Sequence, residues 1–226
     1  QKTAYEISLG LVGSEMCIRD RPPGFLNLNA ISENFAHPQP PKIAFHGMKY
    51  HFISRLNTPL SDLTEPNKDF VYWGRMKDDN DRTVFMRKVY RDPALTQIMI
   101  GGFPSGVQRD HKWIKNWSEL FPYAKDARCT MCFNWKDMTA TTSRYIESLA
   151  CGVIPFVWKT YDSNNTYNIA DWQRCETFEE FKEKALDIRQ KYDMLLSEVR
   201  NNYKERLLSP SGYQELFNEK LNHAIP

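Results

Sequence analysis

"TSRYIESLACGVIPFVWKTYD", residues 142–162, carries a single glutamate, Glu147, in a stretch that otherwise grows steadily more apolar. The spacing predicts a helix from about Thr141 to Ala150, a stop at Cys151-Gly152 and a buried strand over Val153–Trp158. Ile146, Leu149 and Ala150 fall on one helical face, and Arg144, Glu147 and Cys151 on the neighbouring one. A glutamate on a helix that leads into a buried strand needs a reason.

Upstream, the same strand-and-helix alternation continues. "DFVYWGR" (69–75) reads as a short apolar strand, "DRTVFMRKVYRD" (81–92) as a helix and "TQIMIGG" (96–102) as a second strand. "HKWIKNWSELF" (111–121) has amphipathic helical spacing, and "ARCTMCFNW" (127–135) is a third strand. Downstream, "IADWQRC" (169–175) reads as a short fifth strand. Helices over 177–208, with a break near Tyr192, and over 212–224 follow it. Such alternation predicts a Rossmann-like parallel sheet flanked by helices, with further helices at the C-terminus, since parallel neighbours require crossover connections. The strands lack polar alternation, as a sheet covered on both faces requires. In such sheets ligands sit at the carboxyl ends of the strands. Here those ends are Gly74-Arg75, Gly101-Gly102, Asn134-Trp135 and Trp158-Lys159.

Three regions divide the 226 residues. Residues 1–21 resemble translated adapter read-through rather than a signal peptide and are expected to be a non-native tail. Residues 22–68 are Pro-rich and read as a linker or extended wrap, with one short strand at Lys42–Phe45. Residues 69–226 form the regular domain. The net charge of +2 does not announce a nucleic-acid partner. No apolar run reaches the ~18 residues of a membrane helix, so the expectation is a cytoplasmic monomer without a membrane partner. The cysteines number five, too few and odd for a disulfide scaffold. Cys129-Thr-Met-Cys132 lies in a strand, where its two thiols point to opposite faces; it reads as buried and inert rather than metal-binding. Five histidines form no motif.

At the ligand edge of the sheet, Glu147 has the chemistry to accept the vicinal hydroxyls of a ribose. Arg144, one turn earlier, and the helix's own N–H groups have the chemistry to meet a diphosphate. The plain alternative is an i,i+3 Arg–Glu surface pair, worth little. "RMKDDNDR" (75–82), alone, reads as a solvated charged turn.

"SRYIESLACGVIPFVWK" resembles the nucleotide-sugar segment of GT-B glycosyltransferases: a Glu, a small-residue helix end with Gly, then an apolar strand containing Pro. The resemblance is strongest to bacteriophage DNA glucosyltransferases of T4 type, in "ACGVIPFVWK" to the alpha kind and in "TSRYIES" to the beta kind. "YWGRMKDDNDR" (72–82) matches where those enzymes open their C-terminal domain. The resemblance implies a single C-terminal domain of a GT-B fold over about residues 69–223. It implies that Gly74 forms the turn, that Arg75 belongs to the donor site and that Lys77, Arg82 and Arg144 take the diphosphate of UDP. Glu147 would hold the ribose, and the loop from Gly101 and Gly102 to Ser105 would face the uracil. It implies UDP-glucose or a related nucleotide sugar as donor, double-stranded DNA as acceptor partner, and no cofactor or metal. Thr139 stands where many retaining members carry a second Glu, which leaves the stereochemical outcome open. The base of inverting members lies in the other GT-B domain, for which residues 22–68 are too short. A glycan-directed transferase of the exostosin or fucosyltransferase sort, a sugar-nucleotide epimerase and a non-catalytic nucleotide-binding module are the alternatives.

Overall fold

A computed structural model describes residues 25–27, 42–44, 55–63, 65–76, 81–103, 105–112, 114, 117–133, 142, 144–162, 167–207, 209, 211, 212 and 215. β1 (Phe25–Asn27) and β2 (Lys42–Ala44) pair in parallel as a small separate sheet; β1 was not foreseen. The main sheet holds β3 (Lys68–Arg75), β4 (Gln97–Gly102), β5 (Ala127–Cys132), β6 (Ile154–Trp158) and β7 (Arg174–Cys175). All are parallel, in the order β4-β3-β5-β6-β7. The helices are α1 (Asp81–Arg91), α2 (Trp117–Ala124), α3 (Arg144–Cys151) and α4 (Phe178–Leu207).

The expected α/β Rossmann-like sheet is therefore present. β3 buries every residue from Asp69 to Gly74, and its side chains alternate between two cores. Phe70 and Tyr72 join α1 through Phe85, Met86 and Val89, and α4 through Phe181. Val71 and Trp73 join Ile98, Ile100, Cys151 and the α2 residues Leu120 and Ala124. Phe85 anchors the first core by edge-to-face contacts with Phe133, Trp158, Phe178 and Phe181 at 5.0–5.8 Å. The stretch 55–63, expected to wrap, packs on the domain: Leu56 is buried in the first core.

Three expected elements differ. The helix predicted to start at His111 starts at Trp117. His111 instead bridges Ile100, and its carbonyl accepts from Gly101 N–H at 2.9 Å, because β4 is an edge strand whose outer side needs a partner. The predicted fifth strand shrinks to Arg174–Cys175 behind a 3₁₀ turn over Asp171–Gln173. α4 runs unbroken through Tyr192, having neither Gly nor Pro to break it. Residues 1–21 and most of the predicted 212–224 helix lie outside the described residues.

At the amino end of β3, Asp69 is nearly inaccessible and fully partnered. It accepts from Arg189 Nε at 2.7 Å and Nη2 at 2.8 Å, and from Thr96 N–H and Oγ1 at 2.8 Å each. Burial works to raise its pKa, but the bonds from Arg189 and Thr96 prevail and hold the carboxyl below the usual range. This pair ties α4 to the sheet.

Candidate functional site

Site geometry begins with strand order. β3 has β4 on one side and β5 on the other, so the chain reverses direction here, and such switch points open the ligand crevice of doubly wound sheets. β3 pairs with β4 through to Arg75↔Gly102, but with β5 only at Lys68↔Ala127 and Phe70↔Cys129. Beyond Phe70 the strands β3 and β5 part.

Two arginines converge on the parted ends. Arg82, in the first turn of α1, donates from Nη2 to the Tyr72 hydroxyl, and its guanidinium lies 5.3 Å from that ring. Arg144, the first residue of α3, donates from Nη1 to the Trp73 carbonyl. Its guanidinium stands 4.8 Å from both the Tyr72 and Trp73 rings, so it lies across the end of β3, between the two faces of the sheet. Neither arginine forms an ion pair among the described residues, and Arg82 Nε is buried without a hydrogen-bond partner. Two cations share one tyrosine ring, with no carboxylate between them among the described residues.

α3 places Glu147 beside them. Tyr145, Ile146, Ser148, Leu149, Ala150 and Cys151 are buried, which leaves Arg144 and Glu147 on the partly open flank. Trp73 Nε1 donates to Glu147 Oε2 at 3.3 Å. The i,i+3 Arg–Glu pair, the plain alternative, is not formed; Arg144 and Glu147 instead make two separate bonds to Trp73, one to its carbonyl and one from its indole. The entry to α3 is held by Tyr161, whose hydroxyl accepts from Thr142 N–H and donates to Thr142 O, each at 2.9 Å. Its exit is held by Gly152 at φ +80°, with Val153 N–H bonded to Ser148 O at 2.9 Å. Arg200 adds bonds from Nε and Nη2 to Leu149 O at 3.1 and 2.9 Å.

The glycines allow the close approach. A Cβ on Gly101, at φ +129°, would stand 2.0 Å from the Gly74 carbonyl oxygen; a side chain there is excluded by backbone. At Gly74 a Cβ would press on Tyr72 and the Arg144 guanidinium. Arg75 is exposed, its side chain alongside Gly102.

The structure therefore brings Gly74, Gly101, Arg82, Arg144 and Glu147 together, with Arg75 and Gly102 one register step away. Lys77 and Thr139 lie outside the described residues. Tyr72 and Trp73 were read only as part of an apolar strand, and Tyr161 was given no role; the signal for the first two was an aromatic pair directly before the strand-ending Gly74. No Asp-x-Asp of the metal-dependent kind was expected, yet Asp79-Asn80-Asp81 within the basic turn spells it, a spacing of carboxylates of the kind hard cations use. Its first two residues lie outside the described ones. Among the described residues no cluster of three His, Cys, Asp or Glu side chains suits a metal ion. Cys132 abuts the site, and burial pushes its thiol up to about 12, so it is protonated and not a nucleophile at neutral pH. Cys129 is likewise buried, its thiol donating to Asp69 O at 3.1 Å. An open cavity at the end of β6, lined by Lys159, Asp162, Asn168 and Arg174 among others, shares none of these residues. No described helix is long and apolar enough to cross a membrane.

Compared by sequence, the chain matches no family model and no curated protein. Compared by structure, it does match. The DNA-modifying enzyme beta-glucosyltransferase superposes with a TM-score of 0.50 at 13% identity, covering 73% of this chain and 56% of that one. The fold is that of one GT-B half. A T4 phage BGT mutant in complex with UDP-glucose (TM-score 0.47, 14% identity, 62% of this chain and 46% of that chain) is also similar. So is S. aureus TarM in complex with UDP (TM-score 0.45, 12% identity, 75% and 37%). The chain spans about half the length of the beta-glucosyltransferase it matches.

Proposed function

We propose that the carboxyl end of β3 is the donor site of a UDP-sugar-dependent glycosyltransferase, and that the sugar is glucose destined for modified bases of phage-type DNA. One observation carries the donor reading: Arg82 and Arg144 meet at the switch point without an acidic partner among the described residues, beside a glutamate. Unpaired cations in a half-buried cleft are costly unless an anion completes them. A diphosphate supplies that charge, and the N-terminus of α3 favours it further. Glu147 supplies acceptors for ribose hydroxyls.

In this reading the glycosidic bond breaks with negative charge gathering on the leaving diphosphate. The two guanidiniums are already in place there, and preorganised charge lowers the barrier without reorganisation. The acceptor's base is not assigned to this chain. The DNA acceptor rests on the resemblance of the 142–158 stretch and on the fold shared with a DNA-modifying enzyme.

Calorimetric titration tests the donor site. UDP and UDP-glucose are expected to bind, UMP more weakly, and a chelator to leave these affinities unchanged. Equal affinity for UDP and UMP would remove the diphosphate assignment; loss of binding with chelator would assign the anion site to a metal at the acidic triplet. Transfer of labelled glucose to hydroxymethylated but not unmodified DNA, by the complete protein, tests the acceptor.

A further inference from the structure

Trp73 touches both Arg144 and Glu147 of the proposed site. Its carbonyl accepts from Arg144, its ring lies 4.8 Å from that guanidinium, and its indole N–H donates to Glu147 Oε2 at 3.3 Å. The indole itself cannot shift: it is 3% exposed, packed in the core with Val71, Ile100 and Leu120. A rigid donor under a flexible carboxylate fixes the plane of that carboxylate. Tryptophan offers one donor and no acceptor, so at this contact the carboxyl oxygen accepts.

We infer that Trp73 is a positioning residue for ribose recognition, resting on the donor-site reading above. An ionised carboxylate offers about four acceptor positions. The indole takes one, on Oε2, and sets the direction in which the others point. The same contact makes Trp73 a reporter, since a ribose bound to Glu147 alters the field at the indole N–H.

Trp73→Phe keeps a large ring in the core and removes only the donor. Its expected effect is a loss of about tenfold in UDP affinity, the low end for a bond to a charged group. The affinity ratio of UDP to 2′-deoxy-UDP is expected to collapse towards one, while inorganic pyrophosphate binds as in the wild type. Combined with Glu147→Gln, the two losses are expected to be far from additive. A merely structural role would weaken all three ligands in the same proportion and leave the ribose ratio intact; that result overturns the inference. Should Trp73→Phe fail to fold, indole N–H resonances of the otherwise unaltered protein decide. Glu147→Gln must move one of them, and UDP must move the same one; if Glu147→Gln moves none, the contact does not operate and the inference falls. A wild type that binds no UDP removes the donor reading itself, an outcome distinct from UDP binding with an unchanged ribose ratio in Trp73→Phe.

Discussion

The two ends of β3 carry charge in opposite ways. At the amino end, buried Asp69 is met by Arg189, Arg128 and Thr96, so both cations there face a carboxylate. At the carboxyl end, seven residues along, Arg82 and Arg144 lean on aromatic rings and a backbone carbonyl, with no acid between them among the described residues. One end is closed and holds α4 to the sheet. The other is preorganised for an anion from outside. Both lie on one buried strand, so burial alone does not separate glue from site; the state of charge pairing does.

The contrast can be broken experimentally, beginning where the largest effect is expected. Gly101→Ala drives a Cβ against the Gly74 carbonyl at positive φ. It should cost about 3 kcal/mol or more in chemical denaturation, since backbone strain and overlap both enter. Full stability would mean that the β3–β4 ends are not in this close register. Asp69→Asn removes the charge that pairs with Arg189 and should cost roughly 2–4 kcal/mol of stability, while UDP affinity per folded molecule stays the same. The wild type should also lose stability in acid. The Asp69 pKa is lowered on folding, so its contribution is complete above the ordinary carboxylate pKa and is lost as pH falls through the folded value. That loss below about pH 4 should be much reduced in Asp69→Asn. Arg144→Ala is expected to do the reverse: a loss of ~1.5–3 kcal/mol in UDP binding, as for a charge-assisted bond, with little change in denaturation midpoint. The smallest effect belongs to a third kind of charge. Lys191 and Asp187 pair at 2.8 Å on the open face of α4, both about half exposed. Lys191→Ala should change stability by under ~0.5 kcal/mol. A larger effect would show that pairing and burial had not been properly separated.

Much of this was legible in the sequence because it depends on local pattern. The unalternating runs 69–75, 96–102 and 153–158 fell within a residue or two of β3, β4 and β6, since a strand covered on both faces leaves no ambiguity of period. The stop at Gly152 was equally local. Amphipathic spacing misled at 111–116, because what shapes His111 is the unpaired outer side of β4, a partner distant in sequence. The break expected near Tyr192 is absent for a similar reason: that side chain reaches back to the Gly152 carbonyl, a contact forty positions away that periodicity does not carry. At the site, Arg144 and Glu147 stood out as polar residues on an apolar helix. Trp73 did not, because an indole buried in a strand is indistinguishable in sequence from any other core aromatic until Glu147 is seen against it.

The division of β3 into a paired end and an anion-receiving end is decided by the shift in thermal midpoint that UDP produces in three proteins: wild type, Arg144→Ala and Asp69→Asn. A ligand that binds only the folded state raises the midpoint by mass action. A clear rise is expected for the wild type, a similar rise from a lower starting point for Asp69→Asn, and almost none for Arg144→Ala. A UDP-induced rise in Arg144→Ala equal to that of the wild type, or a rise lost in Asp69→Asn instead, would contradict that division.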